Sequence, residues 1–140
     1  MPPASTLIHH DLCFGCGQAN LFGLQLEMER RSDGGVEGRF FVKQDHQGPP
    51  GFVHGGVLAT ALDEAMALLL YADGTFALTG RLEVDLRAPA PVGAFVHVSA
   101  ELEEADERKL VLRASARSEE GQELAVGRGV FVRKDPPLDN

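Results

Sequence analysis

The chain has 140 residues, of which 44% are hydrophobic and 24% are charged, and this composition is typical of one globular domain. Its formal net charge of −8 argues against a general nucleic-acid-binding protein, because such a protein needs a basic face. The opening Met1-Pro2-Pro3-Ala4 lacks the basic start and apolar run of a secretory signal. Two cysteines fit a reducing compartment better than a disulfide framework. We therefore expect a cytoplasmic protein.

The first motif is a glycine-rich segment at residues 11–17, here called the N-terminal knuckle, which contains Cys13-Phe14-Gly15-Cys16. Together with His9 and His10, these cysteines have spacings that zinc accepts. A closed zinc site needs four ligands, however, and two consecutive histidines are awkward to use together. We therefore predict no metal, and interpret the two cysteines as small buried residues that shape a turn.

A β-hairpin is predicted next. Apolar and polar side chains alternate over residues 24–30, which favours a half-buried strand, and residues 36–42 form its partner after the turn Ser32-Asp33-Gly34-Gly35. A loop rich in glycine and proline at residues 44–52 then leads into the most apolar part of the chain.

A long helix is predicted over residues 51–71, where Ala, Leu and Met follow a glycine-rich start. Apolar residues lie on every side, as in a helix that is buried all round. Thr60, Asp63 and Glu64 interrupt this pattern, and steps of three and four place them on one stripe. A carboxylate buried without partners is costly, so the two acids indicate a site. The charge-free run is too short to span a bilayer.

Every segment after the helix favours a strand. The four predicted strands cover residues 78–86, 94–102, 109–117 and 122–133. Gly127 and Gly129 inside the last of them suggest a bulge or a close approach of backbone.

This order of elements predicts an α+β fold in which one curved antiparallel sheet wraps around one long central helix. A single domain spans residues 1–140, with a flexible arm at 1–10 and a flexible tail at 135–140. Because such a sheet has open edges, we expect the chain to pair with a second copy of itself.

Three segments together resemble one known family. The first is Gly51-Phe52-Val53-His54-Gly55-Gly56, followed nine positions after the histidine by Asp63. The others are the Cys-Phe-Gly-Cys-Gly opening at 13–17 and the strand at 79–90. In this register the chain resembles the hotdog-fold acyl-CoA thioesterases over residues 13–134, with most similarity to the phenylacetic-acid-degradation (PaaI-like) subfamily. The resemblance implies the hotdog fold and hydrolysis of a small or medium acyl- or aryl-acyl-CoA.

The resemblance also implies the catalytic residues. Thioester hydrolysis needs donors for an oxyanion, and a helix N-terminus offers unpaired N–H groups and the positive end of the helix dipole. The Gly56 N–H would donate to the thioester oxygen, and His54 would shape the turn or hydrogen-bond nearby. Asp63 matches the nucleophile or general base, and Thr79 matches a hydroxyl that orients the attacking water.

Five residues are assigned to substrate binding: Gln47, Gly55, Thr60, Glu64 and Arg81. Many family members carry an Asn or Gln that faces the thioester, and Gln47 takes this role if the loop is one residue longer here. Glu64 has two alternatives, as a structural or interface acid or as the working carboxylate. Arg81 is one of several cations available for the phosphates of coenzyme A. No separate cofactor is implied, since coenzyme A is part of the substrate.

The family resemblance further implies a homodimer, or a tetramer made of two dimers, with the active site at the subunit interface. No nucleic-acid or membrane partner is expected. Two alternatives to the thioesterase remain open at this point. One is a non-catalytic hotdog protein that binds acyl-CoA or lipid, and the other is a hotdog hydratase or dehydratase.

Overall fold

The computed structural model describes residues 5–135, which form one helix and six strands. In chain order these are β1 (Glu27–Arg30), β2 (Val36–Phe41), α1 (Gly55–Ala72), β3 (Ala77–Leu86), β4 (Phe95–Ala105), β5 (Lys109–Arg117) and β6 (Glu123–Arg133). A short 3-10 turn, Gln44–His46, lies in the loop before α1. The predicted hairpin, helix and four later strands are all present.

The six strands form one antiparallel sheet in the order β1-β2-β4-β5-β6-β3. The first strand is shorter than predicted, since it begins at Glu27 rather than at residue 24. The reason is that the N–H groups of Leu24 and Leu26 donate to the carbonyls of Phe14 and Gly15, at 2.9 Å each. These residues are therefore tied to the N-terminal knuckle instead of to a neighbouring strand.

Helix α1 packs across the sheet, and nine of its residues are buried: Leu58, Ala61, Leu62, Glu64, Ala65, Met66, Leu68, Leu69 and Leu70. It is long and apolar enough to cross a membrane by length and composition alone, but here it is the core helix, with half of its 18-residue window buried. Burial is not complete all round, because Tyr71 is half exposed.

Two glycines of β6 let the helix lie close to the sheet. A Cβ on Gly127 would lie 3.1 Å from Leu62 Cδ1, and one on Gly129 would lie 3.0 Å from Met66 Cε. At such distances an added side chain would require the ends of Leu62 and Met66 to move by a few tenths of an ångström. Of the predicted bulge or close approach, the strand register shows no bulge at these two glycines, and both lie in contact with side chains of the helix.

The two edges of the sheet are β1 and β3. Strand β3 is ten residues long and exposed along most of its length, and it carries Leu78 and Leu86 with more than half of each side chain exposed. A long edge strand with apolar side chains in water is a surface prone to pair with another strand.

The start of the chain packs against the core at Leu7 and Ile8. The Leu7 N–H donates to the Met28 carbonyl at 2.8 Å. Residues 1–4 of the predicted arm and residues 136–140 of the predicted tail lie outside the described residues.

Candidate active site

The start of α1 is organised by His54, which is its N-cap residue in an extended conformation. The His54 Nδ1 accepts a hydrogen bond of 2.8 Å from the Gly56 N–H. The His54 carbonyl accepts from the Val57 N–H at 2.9 Å, whereas within residues 5–135 the Gly55 N–H donates to no backbone group. His54 thus shapes the helix start. The Gly56 N–H, which the family resemblance assigns to the thioester oxygen, already has an acceptor in the free protein.

The loop before the helix is fixed by a buried histidine that sequence reasoning left without a role. His46 is 1% exposed, its Nδ1 accepts from the Lys43 N–H at 3.1 Å, and its Nε2 lies 3.0 Å from the Gly23 carbonyl. Because Nδ1 is an acceptor, the proton lies on Nε2 and is donated to Gly23. No local pattern marks His46, since its partner Gly23 is far away in the sequence.

Gln47 follows this histidine and closes the same loop. Its side-chain Oε1 accepts from the Gly51 N–H at 2.7 Å, and the residue is exposed. The structure therefore places Gln47 in the turn that delivers His54, with its amide nitrogen left to face outward or toward a ligand.

An open cavity of about 290 Å³ lies beside the helix start. It is lined by Val53, Gly55, Leu58, Leu86, Arg87, Ala88 and Pro89. Gly55 is needed for its shape, because a Cβ there would lie 2.7 Å from Leu86 Cδ1. Arg87 is held at the rim by an ion pair with Glu123.

Asp63 and Thr79, both assigned to catalysis from the family resemblance, lie next to each other. The Thr79 hydroxyl on β3 donates to Asp63 Oδ1 at 2.7 Å. Burial raises the pKa of Asp63, the hydrogen bond from Thr79 opposes this, and the nearby charge of Glu64 raises the pKa further. The arrangement gives a half-buried carboxylate whose orientation is fixed by one hydroxyl.

Gly56, Thr60 and Asp63 lie along one partly exposed side of α1, whereas Glu64, which was predicted to share a stripe with Thr60 and Asp63, is buried on another side. The Thr60 hydroxyl donates to the Gly56 carbonyl at 2.9 Å, so it is bonded to the helix backbone. Gly56 and Asp63 are seven residues apart, which at about 1.5 Å per residue separates them by about 10 Å along the helix axis. This separation makes it difficult for one carbonyl to contact both groups of the same helix.

The remaining two predicted binding residues lie elsewhere. Arg81 is exposed on β3, with its Nε 2.8 Å from Glu83 Oε1. Glu64 is 9% exposed and points away from Asp63, toward the N-terminal knuckle. This placement favours the structural alternative for Glu64 over contact with substrate.

Glu64 belongs instead to a cluster with His9, Cys13 and Cys16, whose donor atoms all lie within 4.8 Å of one another. Burial alone would raise the pKa of Glu64, but the hydrogen bond and charge of His9, with the two thiols, bring it below its usual value. The hydrogen bond to Glu64 correspondingly raises the pKa of His9. Burial, followed by the charge of Glu64, raises the pKa of the Cys16 thiol.

Comparison with known proteins identifies the class to which this fold and site belong. The sequence pattern of the thioesterase superfamily matches residues 50–125, and the chain belongs to that superfamily. It is 32% identical over 91 residues to acyl-coenzyme A thioesterase THEM4 of Rattus norvegicus, a match that covers 64% of this chain and 39% of the relative. The chain thus spans about two fifths of the length of that curated relative.

Solved structures agree with this assignment. A thioesterase superfamily protein superposes with a TM-score of 0.82 at 30% identity, over 87% of this chain and 60% of the other. A Bacillus halodurans protein crystallised with CoA gives 0.72 at 27% identity, over 81% and 77%. The E. coli PaaI protein gives 0.73 at 19% identity, over 79% and 84%, which is a likeness of fold. The predicted hotdog fold and the family resemblance are confirmed.

Proposed function

We propose that this protein is a cytoplasmic acyl-CoA thioesterase that hydrolyses the thioester of a small or medium acyl- or aryl-acyl-CoA. Three observations support the proposal: membership of the thioesterase superfamily, the name of the THEM4 relative, and CoA in the B. halodurans structure. The observation that carries it is the Asp63–Thr79 hydrogen bond on a helix whose N-terminus begins with two glycines.

The chemistry assigns one task to each group. The helix N-terminus at Gly55 and Gly56 binds the carbonyl oxygen and stabilises the negative charge that forms there. As a general base, Asp63 removes a proton from water while the water oxygen bonds to the carbonyl carbon. The carbon–sulfur bond then breaks, and the sulfur of coenzyme A takes up the proton. As a nucleophile, Asp63 would bond to the carbonyl carbon while the carbon–sulfur bond breaks and the coenzyme A thiolate leaves. Water would then hydrolyse the mixed anhydride to the free acid and the Asp63 carboxylate, and the remaining proton of the water would go to the thiolate.

Thr79 positions Asp63 in either version. Its hydroxyl occupies one carboxylate oxygen, so the other oxygen is the one available to the water or the carbonyl. Thr79 also lies on the exposed edge strand, close to the surface through which a second chain would bring a substrate.

The proposed site needs two protomers. Since about 10 Å separates Gly56 from Asp63 along the helix axis, the helix start of one protomer must face the Asp63 of its partner for both to reach one thioester. The exposed apolar side chains of β3 supply a surface for this pairing. We therefore propose a homodimer, or a tetramer of two such dimers, with the active site at the interface.

The acyl group and the phosphates of coenzyme A would contact two different surfaces of the chain. The cavity of about 290 Å³ at Gly55 is lined mostly by apolar side chains and suits a small or medium acyl group. Coenzyme A carries phosphates, and in a chain with a net charge of −8 these require local cations. Arg81 and Arg87 lie on or next to β3, and each would exchange an exposed carboxylate partner for a phosphate.

The test is a thiol-release assay over a panel of acyl-CoAs, from acetyl to medium-chain and aryl-acyl groups. Asp63→Asn keeps the shape and an acceptor for Thr79 but removes the base, so we expect kcat to fall by about 10²–10⁴. Glu104→Gln is the matched control, because Glu104 is an exposed carboxylate on β4, and its rate should equal that of the wild type. Equal slow release by wild type and Asp63→Asn, with tight binding of acyl-CoA, would instead establish a non-catalytic binding protein.

A further inference from the structure

In the N-terminal cluster, one imidazole nitrogen and two thiols surround one buried carboxylate. His9 Nδ1 lies 3.2 Å from Cys16 Sγ and also 3.2 Å from Glu64 Oε2. Glu64 Oε1 accepts from the Cys13 thiol at 3.3 Å, while the buried Glu64 Oε2 makes no hydrogen bond of regular geometry among the described residues and depends on the His9 imidazole for its pairing.

One ring nitrogen cannot serve both of its neighbours. If His9 Nδ1 carries a proton and donates it to Glu64, it cannot accept from the Cys16 thiol. If it accepts from Cys16, the second oxygen of Glu64 remains unpaired in the interior, which is costly. A single cation between the four donor atoms satisfies all of them at once.

The spacing of the donor atoms fits one zinc ion. Tetrahedral zinc, with bonds of about 2.3 Å to sulfur and about 2.0–2.2 Å to nitrogen or oxygen, places neighbouring donors about 3.3–3.8 Å apart. Three neighbouring pairs in the cluster are at 3.2, 3.2 and 3.3 Å, and no pair exceeds 4.8 Å. To close the set around an ion, the three short pairs would lengthen by a few tenths of an ångström and the widest pair would shorten by about 1 Å.

The backbone around the cluster also fits a metal site. The Gly15 N–H donates to Cys13 Sγ at 3.3 Å, and an N–H directed at a sulfur stabilises a metal-bound thiolate. A Cβ on Gly15 would lie 2.4 Å from Glu64 Cγ, so this glycine lets the carboxylate reach the two sulfurs. The His9 side chain is 35% exposed, which leaves a route for the ion from solvent.

We propose that His9 Nδ1, Cys13 Sγ, Cys16 Sγ and one oxygen of Glu64 form a structural zinc site. Two sulfurs with one nitrogen and one oxygen in a tetrahedral arrangement favour zinc over the hard cations magnesium and calcium. Four protein ligands leave no open position, so the ion has a structural task and no catalytic one. The ion would hold the N-terminal knuckle against the middle of α1. This proposal does not depend on the proposed activity.

The sequence prediction of no metal rested on the lack of a fourth ligand, because His9 and His10 follow each other. The fold replaces His10 by Glu64, which comes from the helix 48 residues after Cys16. His10 has a different task, since its Nδ1 accepts from the Leu12 N–H at 3.0 Å.

The test begins with wild-type protein that is purified without a polyhistidine tag, reduced, and stripped of metal by a chelator. Addition of Zn²⁺ should give one ion per chain, raise the melting temperature, and protect both thiols from alkylation. Addition of Co²⁺ should give the visible bands of tetrahedral cobalt together with a thiolate-to-cobalt charge-transfer band. These readouts require no variant and no substrate.

Two neighbouring histidines supply the matched variants. His9→Gln should weaken zinc binding by more than about tenfold, whereas His10→Gln should leave it unchanged. Circular dichroism checks that both variants are folded. Folded wild type that binds no zinc at micromolar concentration, cobalt bound without a charge-transfer band, or equal loss in both variants would each overturn the proposal.

Discussion

A mixed dimer provides the sharpest test of the two-protomer site. Gly56→Pro removes one N–H from the helix start. This N–H makes no bond to a preceding turn of the helix, but its bond to His54 Nδ1 is lost as well, so circular dichroism and a thermal melt must first show that the variant is folded. Loss of one oxyanion donor should lower kcat by about 10²–10³. Asp63→Asn should lower it by about 10²–10⁴, because the general base is gone.

The two inactive chains should restore activity when they are combined. In the proposed homodimer, each site would take its acid from one chain and its helix start from the other. A mixed dimer would therefore have one site with both lesions and one site with neither. Random exchange makes half of the dimers mixed, so the sample should regain about one quarter of wild-type activity. This recovery is far above the sum of the two separate variants.

The assay is thiol release after the two variants have been unfolded together and refolded, with each variant refolded alone as a control. Native mass spectrometry, with one chain carrying a mass label, measures the fraction of mixed dimers. If mixed dimers are abundant and activity does not recover, Gly56 and Asp63 serve a site within one chain, and the distance argument along α1 fails.

Two further predictions concern single side chains. Thr79→Val removes the hydrogen bond to Asp63, but valine suits a strand, so kcat should fall by about tenfold or more while stability changes little. Thr79→Ser keeps the hydroxyl and should retain activity. Steady-state kinetics measure kcat, and thermal melts measure stability. His46→Leu leaves the N–H of Lys43 and the carbonyl of Gly23 unpaired, so the free energy of unfolding in urea should fall by about 1–3 kcal/mol. An unchanged unfolding free energy in His46→Leu would show that the loop does not depend on this histidine.

The fold was predictable because its signals are local. Alternation defined the later strands, and the apolar run with a glycine-rich start defined α1. The start of β1 was misplaced because the N–H groups of Leu24 and Leu26 bond to the knuckle, a long-range choice that alternation does not record.

Part of the geometry of the candidate site was also predictable from local spacing. Spacing along one helix placed Gly56, Thr60 and Asp63 on a stripe, and the resemblance supplied Thr79. The partners of Glu64 and His46 lie far away in the sequence, so no spacing rule connects them. Adjacent residues 63 and 64 looked like one acidic feature, but about 100° of helical rotation gives them separate surroundings.

The bond between His54 Nδ1 and the Gly56 N–H bears on how the proposed site would discriminate between states of its substrate. If an uncharged thioester oxygen displaces the imidazole, the Gly56 N–H exchanges one neutral acceptor for another. The substrate therefore gains little affinity from this N–H. A negatively charged oxygen forms a hydrogen bond roughly twice as strong, and it therefore displaces the imidazole from this N–H more readily. In the proposed mechanism the imidazole would thereby keep this donor for the stage at which negative charge develops on the reacting carbonyl.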